Sequence, residues 1–222
     1  LMVPLSRYVF NSLFVSIVTT ALHIVAASMA AFTFSKSKIK GRTALFLVVQ
    51  FALLYNSYTL GIPQYILMSN MRIIDTYLVY ILPYIPSAMG AFLMKQYIDS
   101  SIPDALLEAA RIDGASVFRM YWSIVMPIVR PAWMTLLLFS FKDMWSIMPN
   151  GTIFSEELKT LPYVMSQINS GGLARAGSAM ATTVIMMIPP IIVYIISQRN
   201  VMETMSLSLI HISEPTRQEA IS

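Results

Sequence analysis

The sequence lacks cysteine and is poor in histidine and in charge. Without cysteine, the chain can form neither disulfide bonds nor thiolate metal sites. Its two histidines, His23 and His211, lie far apart and form no metal-ligand pattern, so we expect no metal site. Charged residues make up 12% of the 222 residues, about half of their usual share in soluble proteins. The net charge of +4 gives no indication of nucleic-acid binding.

Long uncharged segments take the place of the missing charge. Hydrophobic residues make up 56% of the chain, and no Asp, Glu, Lys or Arg occurs in residues 8–35, 43–71, 76–94 or 176–198. A helix needs roughly 20 such residues to cross a bilayer. We therefore predict an all-α, polytopic membrane protein. A soluble all-α protein is the alternative, but several of its buried helices would have to exceed the usual length of about 12 residues.

The apolar segments predict about five transmembrane helices and their orientation. The predicted spans are residues 8–34, 44–60, 77–94, 121–147 and 176–197. The link between the first two spans, SKSKIKGR, carries four basic residues and no acidic one, which indicates the cytoplasmic side. Residues 95–119 are then also cytoplasmic, and the N-terminus lies outside. Prolines are expected to kink the spans at Pro83, Pro86, Pro127, Pro131, Pro189 and Pro190.

A short polar helix is predicted between the third and fourth spans, at about residues 102–114. Ser101 and Asp104 suggest a cap at its start, and Gly114 suggests a left-handed end. Ala109 and Ala110 would form a small-residue surface on which a partner protein could dock. The alternative is an amphipathic helix that rests on the bilayer, but alanines with acidic residues fit that role poorly.

The same stretch resembles a known signature. Glu108-Ala109-Ala110, three residues, Gly114, nine residues, Ile124 and then Pro127 are similar to the EAA motif of permease subunits of binding-protein-dependent ABC importers. Met126 stands where that motif usually has Leu. The longer strings SIPDALLEAARIDGAS and IVMPIVRPAW resemble the carbohydrate-uptake branch, which includes the smaller maltose-type permease subunit.

This resemblance implies a type I ABC importer permease fold over residues 1–205, in which residues 102–114 form the coupling helix. The implied ATPase-coupling residues are Glu108, Ala109, Ala110, Arg111, Asp113, Gly114 and Pro127. The chain itself has no GxxxxGK[ST] motif, so it would be a transport subunit and not an enzyme, with no cofactor of its own.

The resemblance also implies the assembly in which the chain works. ATP and Mg²⁺ would bind to two cytoplasmic ATPase subunits. Further partners would be a second permease subunit, an extracytoplasmic solute-binding protein, a carbohydrate (an oligosaccharide or glycoside) and the lipid bilayer, but no nucleic acid. The location would be the bacterial cytoplasmic (inner) membrane. Two alternatives remain: an importer of the same class for a polyamine, amino acid or phosphate, and an ion-coupled secondary transporter.

Both ends of the chain raise an expectation. Smaller permease subunits of this kind usually have six spans, so we expect that the first helix is missing and that the sequence is truncated at its N-terminus. The string SLSLIHISEPTRQEAIS at residues 206–222 resembles a non-native tail.

Polar and aromatic residues near the outer ends of the second and fourth spans are candidates for the substrate path. They are Tyr55, Asn56, Tyr58, Lys142, Asp143 and Trp145. The alternative for the aromatic residues is anchoring at the membrane interface, where Trp and Tyr are common. We expect His23, in the first span, to pack against a neighbouring helix.

Overall fold

The computed structural model describes residues 3–54, 60–148, 151–170 and 176–213, with side chains described as far as residue 198. These residues form helices and connecting segments without any β-strand. The α-helices are α1 (Leu5–Lys36), α2 (Arg42–Ala52), α3 (Gly61–Asn70), α4 (Leu78–Ile81), α5 (Ala88–Ser101), α6 (Asp104–Ile112), α7 (Val117–Met120), α8 (Met126–Ile128), α9 (Arg130–Trp145), α10 (Leu161–Asn169) and α11 (Ala176–Ser213). The predicted all-α class is confirmed.

Helix α1 is the centre of the fold. Its 32 residues extend for about 48 Å, enough to cross a bilayer, and it packs against both α5 and α9. One face of α1 is buried although it is rich in small hydroxyl-bearing side chains. The buried hydroxyl residues on this face are Ser12, Ser16, Thr19, Thr20 and Ser28. Small side chains let neighbouring backbones approach closely, which explains how two helices can pack on the same face.

The second predicted span differs from the structure. Helix α2 has 11 residues, about 16 Å, which is too short for a hydrocarbon core of about 30 Å. The helix predicted over residues 44–60 therefore ends early, at Ala52, and a turn follows at Leu53 and Leu54. Residues 55–59 lie outside the described part of the chain. A further helix, α3, lies between the second and third predicted spans.

The third and fourth predicted spans are each bent. Residues 78–101 are broken near Pro83 and Pro86 with a bend of 42°, and residues 117–145 bend by 80° between α8 and α9. The expected proline kinks are thus present at these two places, whereas α11 continues through Pro189 and Pro190 as one helix. Within the described residues, two helices are long and apolar enough to cross a membrane, or up to four if each bent pair counts as one span. The prediction of five spans is not confirmed.

The segment near residues 152–159, at the end of the molecule opposite to Lys36, is fastened to α1. Asn11 donates hydrogen bonds from Nδ2 to the carbonyls of Glu157 and Lys159, at 2.7 and 2.9 Å. Glu156 accepts from the Tyr8 hydroxyl at 2.8 Å and pairs with Lys159 at 2.5 Å. The hydrogen bond from Lys159, followed by that from Tyr8, lowers the pKa of the Glu156 carboxyl.

Candidate functional site

The polar helix predicted from the EAA stretch is present as α6, which runs from Asp104 to Ile112. Its start differs from the prediction, because Ser101 is the last residue of α5 and Pro103 occupies the N-cap position. Ile102 between them is extended, as residues before proline prefer, and its side chain is buried. Asp104 lies in the first turn, where a negative charge favours the helix terminus.

The left-handed end predicted for α6 at Gly114 is confirmed. This glycine has a φ of +79°, a left-handed conformation that other residues adopt only with strain. The amide of Ala115 bonds to the carbonyl of Ala110 at 2.9 Å, and the amide of Gly114 bonds to the carbonyl of Arg111 at 3.0 Å. These two bonds form a Schellman motif, which turns the chain away from the helix.

The exposed face of α6 is not the one we predicted. Leu107 and Ala110 are buried in a core cluster that also contains residues of α1, α5 and the 120–136 segment. Ala109 is exposed, because adjacent residues on a helix point about 100° apart. The Ala109–Ala110 pair is therefore not one exposed surface, and Ala110 packs against the protein itself. The exposed face carries Ala105, Leu106, Glu108, Ala109 and Ile112, with Ile112 87% exposed.

A buried lysine anchors the start of α6. The Lys36 ammonium donates to the carbonyl of Ile102 at 2.6 Å and to the carboxylate of Asp104 at 2.7 Å. The Lys36 side chain is only 8% exposed, whereas that of Asp104 is 80% exposed. The hydrogen bond and the charge of Lys36 lower the pKa of the Asp104 carboxyl. From the sequence alone, Lys36 indicated only the orientation of the chain, since its partners lie far along the chain.

The segment after Gly114 leads directly into the 80° bend. The Ser116 hydroxyl caps α7 by accepting from the amide of Arg119 at 3.2 Å. A π-helix follows at Tyr121–Val125. Pro127 has no amide hydrogen and lies just before the bend, where the Trp133 indole donates to the carbonyl of Met126 at 3.1 Å. Of the predicted coupling residues, Pro127 thus belongs to the bend and not to α6.

The predicted path residues do not form one group. Asp143 lines a cavity of about 660 Å³ between α1, α3, the broken segment before α5, and α9. Lys142 is exposed but is not among the residues that line this cavity. Tyr55, Asn56 and Tyr58 lie outside the described residues.

Trp145 is a structural residue and not an exposed aromatic surface, contrary to its predicted role. Its side chain is 2% exposed and stacks on Phe141 with ring centroids 6.1 Å apart. Its indole N–H donates to the carbonyl of Met186 in α11 at 2.8 Å. That carbonyl lacks its usual helix partner, because the residue four positions later is Pro190.

His23 packs against a neighbouring helix, as expected. Its Nδ1 lies 3.0 Å from the carbonyl of Tyr84. A carbonyl can only accept, so Nδ1 carries the hydrogen. Its Nε2 is 3.1 Å from the position that a Cβ on Gly90 would occupy, so the glycine makes room for the ring. In the described part of the chain, no group of three His, Cys, Asp or Glu residues could hold a metal ion.

The fold is that of a helical membrane protein, and comparison with known proteins gives its family. Residues 23–206 match the sequence model of the family described as binding-protein-dependent transport system inner membrane component. This match covers most of the chain, which therefore belongs to that family. The resemblance seen in the EAA motif is confirmed.

Several relatives are named as permease proteins of transport systems. The chain is 27% identical over 195 residues to the arabinooligosaccharide permease AraQ of Bacillus subtilis, covering 87% of this chain and 69% of the relative. It is 26% identical over 198 residues to the lactose permease LacG of Rhizobium radiobacter, covering 88% and 72%. It is 28% identical over 200 residues to the sn-glycerol-3-phosphate permease UgpE of Yersinia enterocolitica, covering 88% and 71%.

A solved structure shares the fold. A chain of a bacterial ABC transporter that imports the acidic polysaccharide alginate superposes with a TM-score of 0.76 at 23% identity, covering 87% of this chain and 74% of that chain. At this identity the likeness establishes the fold alone.

Proposed function

We propose that this protein is a transmembrane subunit of an ATP-driven, binding-protein-dependent importer of a carbohydrate in the bacterial cytoplasmic membrane. The observation that carries the proposal is the position of α6, a polar helix that presents one exposed face and is joined by its other face to the core. Membership of the transport family supports the importer, and relatives named for arabinooligosaccharides and lactose support the carbohydrate.

The proposed partners follow from this assignment. A second permease subunit completes the pore, two cytoplasmic ATPases bind ATP and Mg²⁺, and an extracytoplasmic binding protein delivers the solute. This chain holds no cofactor and hydrolyses nothing itself. The exposed face of α6, with Glu108 and Ile112, docks into an ATPase subunit.

Three connections would carry the movement of the ATPase into the membrane. Leu107 and Ala110 pack into the core cluster, so a push on α6 reaches α5 and the 120–136 segment. Lys36 ties the start of α6 to the end of α1. The rigid Schellman turn at Gly114 ties its end to the bend before α9. Because interiors are densely packed, such contacts transmit displacement with little loss.

Two variants test the docking surface. Glu108→Lys reverses a charge on the exposed face, and Gly114→Pro forbids the left-handed turn, because proline fixes φ near −65°. Both should remain in the membrane but lose ATPase binding and ATP-driven uptake. Ser100→Lys is the matched control, since it adds a charge at an exposed position just before α6. Normal uptake by both Glu108→Lys and Gly114→Pro would show that α6 does not couple.

The competing functions are separated by uptake into proteoliposomes. The proposal requires uptake that depends on ATP, on the ATPase subunits and on the binding protein. Uptake that persists without the ATPase and follows a proton or sodium gradient would establish a secondary transporter instead. ATP-driven uptake of a polyamine, amino acid or phosphate, but of no carbohydrate, would agree with the importer class and contradict the proposed carbohydrate substrate.

A further inference from the structure

The cavity that contains Asp143 lies beside the middle of α1. His23, on its wall, is about 4 Å along the axis from the midpoint of α1. Ser140, also on the wall, is level with Thr20 of α1, with 3.4 Å between their hydroxyl oxygens. A volume of about 660 Å³ falls within the range of ligand pockets, about 300 to 1,000 Å³.

Asp143 is exposed on this wall, and within the described residues its carboxylate has no hydrogen bond or ion pair. A carboxylate inside a membrane segment is strongly unfavourable unless it faces water or a ligand, so such residues mark solute paths. Lys142, the adjacent cation, is not on the cavity wall. The charge of Asp143 is therefore directed at whatever fills the cavity.

Other side chains on the cavity wall can also form hydrogen bonds with the hydroxyl groups of a solute. Gln64 contributes an amide that can both donate and accept, and among the described residues it has no hydrogen-bond partner. Ser87 and Ser140 contribute hydroxyls, and Tyr84 contributes an aromatic ring. A carboxylate accepts hydrogen bonds strongly and can hold two neighbouring hydroxyl groups at once, one on each oxygen.

The wall also has a charge that discriminates between solutes. No lysine or arginine lines the described part of the cavity, whereas one carboxylate does. An anionic solute would meet the charge of Asp143 without a compensating cation, and like charges that share a site of low dielectric repel strongly.

We infer that this cavity binds a neutral, polyhydroxylated solute, with Asp143 and Gln64 bonding its hydroxyl groups, and that it excludes phosphorylated or acidic sugars. The inference rests on the proposed function, because it names the substrate class of that importer. It aligns the chain with relatives named for arabinooligosaccharides and lactose, and separates it from the relative named for sn-glycerol 3-phosphate.

The first experiment identifies the solute with the complete importer in proteoliposomes. The panel comprises arabinotriose, maltotriose and lactose as neutral solutes, with sn-glycerol 3-phosphate and an alginate trisaccharide as anionic ones. We expect ATP-driven uptake of a neutral member only. ATP-driven uptake of an anionic solute would overturn the inference but agree with the proposed importer function. If none of the solutes is taken up in an ATP-dependent way, both the proposed function and the inference are contradicted.

The second experiment tests Asp143 with the transported solute. Asp143→Leu removes the acceptor and should lower the kcat of uptake at least about tenfold, since hydrogen bonds to charged groups are among the strongest in proteins. The KM should change less, because the binding protein captures the solute first. ATP hydrolysis stimulated by the loaded binding protein should persist, which shows that the complex is assembled. Asp143→Asn keeps an acceptor oxygen but loses the charge, so it should retain more of the uptake than Asp143→Leu.

The third experiment places a solute in the cavity and uses the absence of cysteine from the chain. Leu67→Cys puts a thiol on the cavity wall, and Ile66→Cys puts one beside it on the same helix but off the wall. The transported solute should slow alkylation of this subunit at Leu67→Cys by N-ethylmaleimide and leave Ile66→Cys unaffected. Three results would each overturn the proposed binding site: no labelling of Leu67→Cys, labelling that the solute does not slow, or an unchanged kcat in Asp143→Leu. Uptake by the wild-type complex would still support the proposed importer function.

Discussion

Replacing Trp145 by Phe should destabilise the protein without altering its choice of solute. The variant loses the hydrogen bond to the Met186 carbonyl, which α11 cannot replace because Pro190 has no amide hydrogen. Hydrogen bonds between membrane helices average about 0.6 and reach about 1.7 kcal/mol. We expect about 1.5 kcal/mol here, with about 1 kcal/mol more from the smaller ring in a buried site.

A second substitution isolates the hydrogen bond from the loss of packing. Pro190→Ala supplies an amide hydrogen that can reach the Met186 carbonyl along the helix. In the Trp145→Phe background it should therefore recover about 1 kcal/mol, and the double-mutant cycle should show a coupling energy of that size. Thermal unfolding in detergent micelles measures the stabilities, and uptake by the four proteins measures the selectivity.

Two results would refute this reasoning. If the two substitutions change the free energy of unfolding additively, the hydrogen bond from the indole does not compensate for the amide hydrogen that Pro190 lacks. A changed solute preference in Trp145→Phe at unchanged stability would make the indole part of the substrate path, as we predicted from the sequence.

Three further predictions concern helix contacts and pH. Gly90→Ala should cost about 1 to 3 kcal/mol in unfolding experiments, because its Cβ would meet three side-chain atoms at 3.1 Å, whereas Gly177→Ala, with nothing within 4 Å, should not destabilise. Lys36→Met should leave the subunit assembled but reduce the uptake per ATP hydrolysed, and Lys36→Arg should reduce it less. Equal uptake per ATP in the wild type and both variants would contradict the proposal that Lys36 anchors α6 for coupling. The pKa of Glu156 is lowered in the folded state, so its contribution to stability is present above a pH of about 4.5 and is lost as the pH falls through the lower folded value. Proteolysis near Lys159 should rise over that range, and Glu156→Gln should remove this pH dependence.

The sequence predicted what depends on neighbours along the chain. Long uncharged segments indicate a membrane protein, because the composition of a segment by itself sets its free energy of transfer from water to lipid. The helix at α6 and its left-handed end at Gly114 follow from capping and turn chemistry within a few residues. The EAA spacing led to the family for the same reason, since a motif is a local pattern.

Other features could not be predicted because they depend on which helix lies beside which. Ala110 and Ala109 are equally small, and only the packing of α6 on the core decides that one is buried. Trp145 was predicted to lie on the substrate path, with anchoring at the membrane interface as the alternative, because nothing in the local sequence connects it with a proline 45 positions later. The end of α2 at Ala52 could not be predicted either, since the apolar segment continues past Ala52 without a charged residue.

By itself, the sequence therefore determined a helical membrane permease with a polar helix at one end, because hydropathy, caps and turns act over short distances. The tertiary structure alone decided which face of that helix is exposed, how Lys36 holds it, and that Asp143 faces a cavity beside His23 while Trp145 serves the helix packing. The physical reason is that the burial and partners of a side chain depend on residues far along the chain, which folding brings within hydrogen-bonding distance.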